Sequence, residues 1–530
     1  MKINIINIVV SIRENQMEKI SEIIQEMGIE KSNINEILFL KRSIDSRKRS
    51  DIKFVYNIEV ELKEKIKEEI FQNNNIKISV EEEKEIKVPT FDLNEKIIII
   101  GAGPSGLFAA YELCKYGYSP IIIEQGEKIE DRDITIQKFV TENIFNPESN
   151  IQYGEGGAGT YSDGKLNTRI KSGYISEVFD TLVKCGAQKE IMWDYKPHIG
   201  TDILKIVIQN LRKKIEEMGG KFLFNSKMID VSIKNSRIDS IEIKNKNGRI
   251  EKMVVDRLIL APGHSSRETY YMLDKKGVSM ENKPFAVGVR IEHSGMFINK
   301  IIYGEEKNNS LLGAATYSLT YNNKEENRGV FSFCMCPGGV VVNASSENGG
   351  TLVNGMSYSK RDGKFSNSAV VVAIKANEFG EELFSGMKFQ EKIEKKAYDM
   401  ANGCGAIYQN TEDFLNGKIS EKIIETSYEM KLVSKDFNEL YPEMISGNIK
   451  KALEQWNRNY KGFVSKDASL IGPETRTSSP IRIIRDLNGE SVNVKGLYLV
   501  GEGSGYAGGI TSSAVDGIKV VQSSFLKEKN

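Results

Sequence analysis

The sequence contains few of the residues that build disulfide frameworks and metal sites. Its 530 residues include five cysteines, three histidines and two tryptophans. A low and odd number of cysteines argues against a disulfide-stabilised secreted protein and favours a reducing compartment, the cytoplasm. No stretch of about 18 apolar residues occurs, and no small-residue cleavage site follows the N-terminus, so we expect neither a membrane span nor a signal peptide.

An excess of charge of either sign is also absent. Lys plus Arg and Asp plus Glu number 73 each, so the formal net charge is zero. Without a basic excess the chain has no global attraction for nucleic acid or anionic membranes, and we expect a small-molecule substrate as its partner. Hydrophobic residues make up 40% and charged residues 28%, which is the balance of an ordinary globular protein of several domains. The oligomeric state is left open.

The first 88 residues are predicted to form a separate α+β domain. Strand and helix patterns alternate in the order βαββαβ, which is typical of a ferredoxin-like domain. The predicted elements span 3–10, 15–27, 34–40, 52–59, 63–71 and 76–80. A basic run at 41–50 is interpreted as a solvated turn between two strands. The charged segment 81–96, which contains Pro89, is typical of a domain linker.

The segment 96–126 carries a dinucleotide-binding fingerprint. A predicted apolar strand at 97–100 precedes a G-x-G-x-x-G turn, a helix is predicted at 107–115, and a second strand at 121–123 ends in Glu124. In this motif the glycines allow a tight turn, close approach of backbone to a pyrophosphate, and close packing of helix on strand. Glu124 has about the 20-residue offset expected of an acid that binds ribose hydroxyls. Such an acid repels a 2′-phosphate, so the site suits FAD or NAD better than NADP.

A second glycine-rich segment near the C-terminus favours FAD over NAD. Residues 495–524 are predicted to form a strand at 497–500, a glycine turn and a helix from about Thr511. The N-terminus of that helix would stabilise negative charge on reduced flavin. Between the two segments, a glycine loop at 154–165 is predicted to pack against the flavin, although an ordinary tight loop is the alternative. We expect FAD to contact Gly101, Gly103, Ser105, Gly106, Glu124, Gln125, Gly156, Gly157, Thr160, Lys165, Gly501, Glu502, Gly508, Gly509, Ile510 and Thr511.

These segments together resemble a bacterial family of uncharacterised FAD-dependent dehydrogenases, glutathione-reductase-like FAD/NAD(P)-binding oxidoreductases with a small N-terminal α+β domain. The resemblance runs nearly end to end and also involves KRSIDSRKRSDIKFVY, SNIQYGEGGAGTYSDGKLNTR, PHIGTD, LAPGHSSR, VGVRIEH, FCMCPGG and ETRTSSPIR. It implies bound FAD and oxidoreductase activity. It does not supply a substrate.

Candidate catalytic residues are few. Cys334 and Cys336 form a C-x-C pair that a strand would place on one sheet face; pocket lining is favoured over a redox dithiol, and the spacing fits no common zinc site, so we expect no bound metal. His198 is a candidate general acid beside the substrate, with structural hydrogen bonding as the alternative, as for His264 and His293. Arg476 and Arg290 are candidates for binding a substrate carboxylate, with an ordinary ion pair as the alternative.

The sequence therefore predicts an α/β protein in which an α+β substrate domain is inserted into a Rossmann-like FAD-binding domain. The expected boundaries are 1–88, 94–265, 266–479 and 480–530. A second fingerprint is missing, because Gly403-Cys404-Gly405 lacks the third glycine, so NADH or NADPH would visit the flavin transiently or another donor would reduce it. The predicted function is hydride transfer through flavin N5 to or from a small metabolite; the alternatives are an RNA-associated flavoenzyme and a non-catalytic flavin sensor.

Overall fold

The computed structural model describes residues 1–65, 75–78 and 86–529. The predicted helix at 63–71 and the end of the predicted strand at 76–80 fall largely outside these ranges. Within them, no helix combines the length and the apolar character that a membrane span requires.

The N-terminal domain is a four-stranded antiparallel sheet with a helix. Its elements are β1 (Lys2–Ser11), α1 (Gln16–Glu26), β2 (Ile34–Asp45), β3 (Lys53–Leu62) and β4 (Ile76–Ile78). The strand order is β2-β3-β1-β4, and every second residue of β3 is buried, as a sheet with one covered face requires. Asn15 caps α1 by accepting from the Glu18 N–H. The strand β2 continues through Asp45 because it pairs with β3 to Lys53, so only the second half of the basic run 41–50 is a turn.

The next part of the chain builds a Rossmann-like domain. Its elements are β5 (Lys87–Pro89), β6 (Ile97–Ile100), α2 (Pro104–Lys115), β7 (Ile121–Ile123), α3 (Ile129–Glu142), α4 (Tyr174–Lys184), α5 (Thr201–Glu217), β8 (Lys221–Leu223), β9 (Ser226–Lys234), β10 (Arg237–Asn245), β11 (Ile250–Val254) and β12 (Arg257–Leu260). The strands β9, β10 and β11 form an antiparallel sheet of their own. The strand β6 is buried along its whole length, as a central strand of a parallel sheet must be.

Residues 266–479, which we call the cap region, follow. Its elements are α6 (Arg267–Lys275), β13 (Met280–Asn282), β14 (Phe285–Ser294), α7 (Gly295–Tyr303), β15 (Thr320–Asn323), β16 (Arg328–Cys336), β17 (Gly339–Asn343), β18 (Val353–Ser357), β19 (Phe365–Ile374), α8 (Ser385–Met400), β20 (Ala406–Asn410), α9 (Thr411–Leu415), β21 (Leu432–Ser434), α10 (Phe437–Leu440), α11 (Glu443–Asn459) and β22 (Ser469–Glu474). A seven-stranded sheet of order β15-β16-β19-β14-β22-β20-β21 forms its centre.

The C-terminal residues return to the Rossmann-like domain. They form β23 (Ile481–Ile483), β24 (Leu497–Leu499), α12 (Ile510–Ser524) and β25 (Leu526–Glu528). The strand β24 completes a five-stranded parallel sheet of order β24-β12-β6-β7-β8. The helix α12 packs so closely on α2 that a Cβ on Gly517 would lie 2.3 Å from the Ser105 carbonyl oxygen. The predicted α/β architecture with a Rossmann-like domain is thus confirmed.

Candidate functional site

A cavity of about 340 Å³ lies between the Rossmann-like domain and the cap region. Many of the predicted cofactor-binding residues line it, namely Gly101, Gly103, Ser105, Glu124, Gln125, Gly157, Lys165, Glu502, Gly508, Gly509 and Ile510. The others do not line it, namely Gly106, Gly156, Thr160, Gly501 and Thr511. The structure therefore brings all three glycine-rich segments to one place.

The fingerprint glycines sit where a side chain could not. Gly101 has a φ of +97°, and a Cβ there would lie 2.2 Å from the Ala261 carbonyl oxygen, while a Cβ on Gly106 would lie 2.0 Å from the Gly101 carbonyl oxygen. The helix α2 begins at Pro104, earlier than predicted, with Gly103 as its N-cap. A Cβ on Gly157 would lie 3.2 Å from the Gly103 Cα. Because Gly103 and Gly157 have no side chains, a space walled by backbone remains at the N-terminus of α2. Such a space fits a pyrophosphate.

Glu124 ties the fingerprint to the loop around Gly154. Its buried carboxylate accepts from the N–H groups of Ala102 at 2.8 Å, Gly126 at 3.0 Å and Gly154 at 3.0 Å. A carboxylate can accept about four hydrogen bonds. Because Glu124 lines the cavity, its remaining capacity can serve a ribose hydroxyl.

Arg132, on α3, is a residue that the sequence analysis missed. Its side chain is fully buried and donates to backbone carbonyls of the loop that precedes the cavity wall. The acceptors, at 2.7–3.1 Å, are the oxygens of Asn150, Ile151, Glu155 and Gly157. An arginine one turn into a helix after the strand-end acid is the pattern that could have indicated it. Its role is to fix the loop that carries Gly157.

The C-terminal segment supplies the opposite end of the cavity. The helix α12 begins at Ile510, within one residue of the prediction, and its N-terminus adjoins Gly508 and Gly509 at the cavity. The partial positive charge of this helix end favours an anionic group there. Burial raises the pKa of the Glu502 carboxyl to about 7, so this cavity-lining acid exchanges its proton near neutral pH.

Two other predicted contacts are engaged with the protein itself. Lys165 pairs with Asp163 at 2.9 Å and also donates to the Met335 carbonyl. The Thr160 hydroxyl is buried and donates to the Glu155 carbonyl at 3.4 Å, because the loop turns it away from the cavity. The Thr160 hydroxyl is therefore not available to a ligand in this cavity, and the predicted contact of Thr160 with FAD is not supported by its side chain.

Arg476 lines the cavity, but its guanidinium already forms an ion pair within the protein. Glu394, on α8, accepts from its Nε at 3.0 Å and its Nη2 at 2.7 Å. The same carboxylate accepts from Arg267 at 2.9 Å and 3.0 Å. Burial opposes ionisation of Glu394, but the two arginines outweigh it and lower its pKa to about 2. The Nη1 of Arg476 also donates to the Ser346 hydroxyl, and its Nη2 lies 3.5 Å from Glu347. The guanidinium is thus fixed at the cavity wall, and a bidentate grip on a substrate carboxylate would have to displace Glu394.

Arg290 is not available to a substrate. It is fully buried and forms a bidentate pair with Glu474 at 2.7 Å and 2.9 Å. Its remaining donors reach Asn367 at 2.8 Å, Asn354 at 3.0 Å and the Cys334 carbonyl at 3.2 Å. Arg290 therefore matches the alternative prediction of an ion pair, although this ion pair is buried and not on the surface.

The structure separates the three histidines. His198 does not line this cavity, and its Nε2 donates to the Ser359 carbonyl at 3.1 Å, which is the alternative of structural hydrogen bonding; its role as a general acid stays a prediction. Burial, with a smaller effect from the Arg361 cation, lowers its pKa to about 4. His293 is buried against Phe463 and donates to its carbonyl at 2.8 Å. His264 is the histidine that lines the cavity.

Cys334 lines the cavity in an unusual backbone conformation. Its φ is +43°, at an irregularity in β16 between Phe333 and Cys336. This bulge breaks the alternation from which one shared face was predicted: Cys334 is partly exposed in the cavity, whereas Cys336 is buried. The Cys336 thiol lies beside Cys334 and donates to its carbonyl at 3.4 Å. Side-chain hydrogen bonding with Cys336, and then the Lys165 and Arg290 cations, outweigh burial and lower the pKa of the Cys334 thiol well below its usual value. Among the described residues, no cluster of His, Cys, Asp and Glu could hold a metal ion.

Replacing Glu394 should destabilise the protein. We expect Glu394→Gln to lower the free energy of unfolding by about 3–5 kcal/mol, because two buried arginines lose their shared carboxylate. Glu391→Gln, on the same helix but paired with the exposed Lys395, should change it by less than about 0.5 kcal/mol. Urea unfolding at pH 7 measures both. Because the folded pKa of Glu394 is depressed, the difference from wild type should be fully present above its ordinary pKa of about 4.5 and shrink as the pH falls towards 2; equal stability of the two variants would contradict the role of Glu394.

Filling the space at Gly157 should weaken cofactor binding. We expect Gly157→Ala to raise the Kd for FAD, the cofactor that the sequence predicts, by at least about tenfold, because the new Cβ would stand 3.2 Å from the Gly103 Cα. Gly349→Ala is the matched control, since Gly349 also has a positive φ, of +74°, but nothing lies within 4 Å of its Cβ position. Fluorescence titration of flavin-free protein measures the Kd. Equal affinities in both variants would show that Gly157 does not border the cofactor.

Comparison with known proteins agrees with this geometry. Residues 95–293 match the family model described as pyridine nucleotide-disulphide oxidoreductase, residues 284–477 match that of the FAD-dependent protein, C-terminal domain-like, and residues 2–61 match a domain of unknown function. A relative from Clostridium beijerinckii, an uncharacterized protein, is 43% identical over 528 residues, which cover 98% of each chain.

Solved structures show a weaker likeness. The myxobacterial chondrochloren halogenase CndH has a TM-score of 0.36 at 10% identity, over 80% of this chain and 72% of its own. The tetracycline destructase Tet(51) has a TM-score of 0.33 at 12% identity, over 82% of both chains. Likeness at this level carries no conclusion about activity.

The comparison with the Clostridium beijerinckii protein, by contrast, spans nearly the whole of both chains, and the two family models cover the residues that form the cavity. The chain therefore belongs to the family of this relative, a family of FAD-dependent oxidoreductase architecture, and its cofactor is FAD.

Proposed function

We propose that the protein is an FAD-dependent oxidoreductase that transfers a hydride between flavin and a small metabolite bound between the Rossmann-like domain and the cap region. Bound FAD supplies the hydride chemistry at flavin N5. The chain's own residues bind, orient and hold protons around it.

The observation that carries this proposal is the composition of the cavity wall. One side consists of the glycine segments that fit FAD, and the other consists of cap side chains, namely Phe333, Cys334, Asn354, Glu474, Arg476 and Thr477. A non-catalytic flavin carrier would not need polar and ionisable groups from a second region at this place. Their presence favours a substrate site.

Three ionisable groups on the wall can serve a substrate. Glu502, with a pKa of about 7, can accept or donate a proton at neutral pH. Arg476 presents positive charge to an anionic substrate. His264 stays neutral, because burial and the Arg476 cation lower its pKa to about 4, so it orients by hydrogen bonding rather than by charge. A carbonyl-bearing or unsaturated metabolite suits this set.

The electron donor is proposed to be NADH or NADPH, bound transiently. The segment 403–405 lies between α8 and β20, which is not the strand–turn–helix context of a nucleotide fingerprint. The N-terminal residues are proposed to complete a ferredoxin-like βαββαβ domain, and the cap region to be an inserted α+β domain. An RNA-docking role is not favoured, because Arg42 of the basic run is held by Asp194 at 2.7 Å.

An anaerobic visible spectrum tests the proposed function. We expect NADH or NADPH to bleach the oxidised flavin band of the purified holoprotein, and an added metabolite oxidant to restore it. Dithionite provides the control for a competent flavin. A flavin that dithionite reduces but that no nicotinamide nucleotide or metabolite reduces or reoxidises would contradict the enzyme and support a sensor.

The thiol at the cavity wall gives a second test. In the holoprotein, we expect iodoacetamide to modify Cys334 with a pH midpoint below that of an ordinary thiol, which is about 8.5, because Cys336, Lys165 and Arg290 stabilise its thiolate. Cys336→Ala should raise this midpoint by removing the donated hydrogen bond, whereas Cys404→Ala should not change it. Peptide mass spectrometry of alkylation rates measures the midpoint. An ordinary midpoint for Cys334 in wild type would refute a thiolate at the cavity wall.

A further inference from the structure

A second cavity lies where the N-terminal domain meets the rest of the protein. This interdomain cleft, of about 340 Å³, is lined by the end of β2, by residues 194–198, and by cap residues near 302–316 and 359–361. The N-terminal domain is docked here by backbone bonds, since the Arg42 N–H donates to the Trp193 carbonyl at 2.6 Å and the Tyr195 N–H donates to the Arg42 carbonyl at 2.8 Å. The cleft is therefore a built feature of the fold.

Positive charge predominates in the interdomain cleft. Its lining includes Arg42, Lys196, Lys360 and Arg361, against one carboxylate, Asp194. Asp194 is engaged by Arg42 at 2.7 Å, so these two charges offset each other. The cations of Lys196, Lys360 and Arg361 therefore make the net charge of the cleft lining positive.

The positive charge of Arg361 is only partly neutralised by a carboxylate behind the wall of the cleft. Its guanidinium pairs with Asp163, with an Nε to Oδ1 distance of 2.9 Å. Asp163 is buried and also pairs with Lys165 at 2.9 Å. Two cations therefore share one carboxylate, and a net positive charge remains behind the cleft wall.

Lys196 is the clearest unmatched cation. Its ammonium donates to the neutral Thr316 hydroxyl at 2.9 Å, and no carboxylate in the described part of the chain forms an ion pair with it. Partial burial, and then the Arg361 and Lys165 cations, lower its pKa. Burial and the two neighbouring cations each disfavour the charged form of Lys196. An anion bound in the cleft would counteract the repulsion from these cations.

We infer that the interdomain cleft is a binding site for a small anionic ligand that carries a phosphate or carboxylate group, separate from the FAD cavity. Ammonium and guanidinium groups converging on one pocket are the donors that such anions prefer. Hydroxyl groups of Ser46 and Ser310 in the lining add neutral donors. The side chains of Leu311 and Leu312 give the same pocket an apolar wall, which suits an organic anion.

The two cavities share a wall. Asp163 lines the FAD cavity and contacts Arg361, which lines the interdomain cleft. The inference stands independently of the proposed hydride transfer, because it concerns occupancy of the cleft and not turnover.

Calorimetric titration of the FAD-saturated, full-length protein tests the inference. Inorganic pyrophosphate is the phosphate probe and citrate the carboxylate probe. We expect saturable binding of at least one of them, weakened by added KCl, and weakened about tenfold or more by Lys196→Gln and by Lys360→Gln. Lys246→Gln, at an exposed site on the turn after β10, is the matched control and should leave the affinity unchanged. The probe that binds identifies the anion class.

Three results would overturn the inference. The first is no saturable binding of either probe. The second is binding that Lys196→Gln and Lys360→Gln leave unchanged. The third is binding only to protein that has lost FAD, which would place the anion at the pyrophosphate position of the flavin site. Circular dichroism of each variant verifies that weakened binding does not reflect unfolding.

Discussion

The cofactor cavity depends on a buried guanidinium that forms no ion pair within the described residues. Arg132 donates four hydrogen bonds, all of them to backbone carbonyls of the loop at 150–157. A buried cation is costly unless its hydrogen bonds are complete, so these carbonyls must hold their positions, and the loop takes one curvature. That curvature brings Gly157 against Gly103 and forms one wall of the cavity.

Buried charge also fixes how the elements of the cap region pack on one another. Glu474 and Arg476 are two residues apart, yet Glu474 pairs with Arg290 of β14 and Arg476 pairs with Glu394 of α8. Because breaking such pairs leaves an uncompensated buried charge, alternative packings of β14, β22 and α8 within the cap region are disfavoured. The Arg476 guanidinium thereby keeps a constant place at the cavity wall.

The parts of the site that the sequence predicts well are those in which the chemistry is local. Strand, glycine turn and helix follow one another at 97–115 and again at 497–524, so their periodicity and spacing are visible in the sequence, and the structure alters only the helix starts. The positions of the Arg476 and His198 side chains depend on Glu394 and Ser359, hydrogen-bond partners that lie 82 and 161 residues away in the chain. No local sequence pattern specifies such partners. The face of Cys334 depends on a bulge, a departure from strand periodicity that only tertiary packing sets.

The position of β24 at the end of the parallel sheet has a consequence for the order of synthesis. The strand pairs with β12, more than 200 residues earlier in the chain, and α12 covers α2. A growing chain on the ribosome therefore exposes the open edge of β12 and an uncovered face of α2 until residues 497–524 have emerged. Exposed edges of this kind invite association with other strands, so these surfaces need protection during translation, and the wall of the cavity at 508–513 forms only after the C-terminal segment has folded.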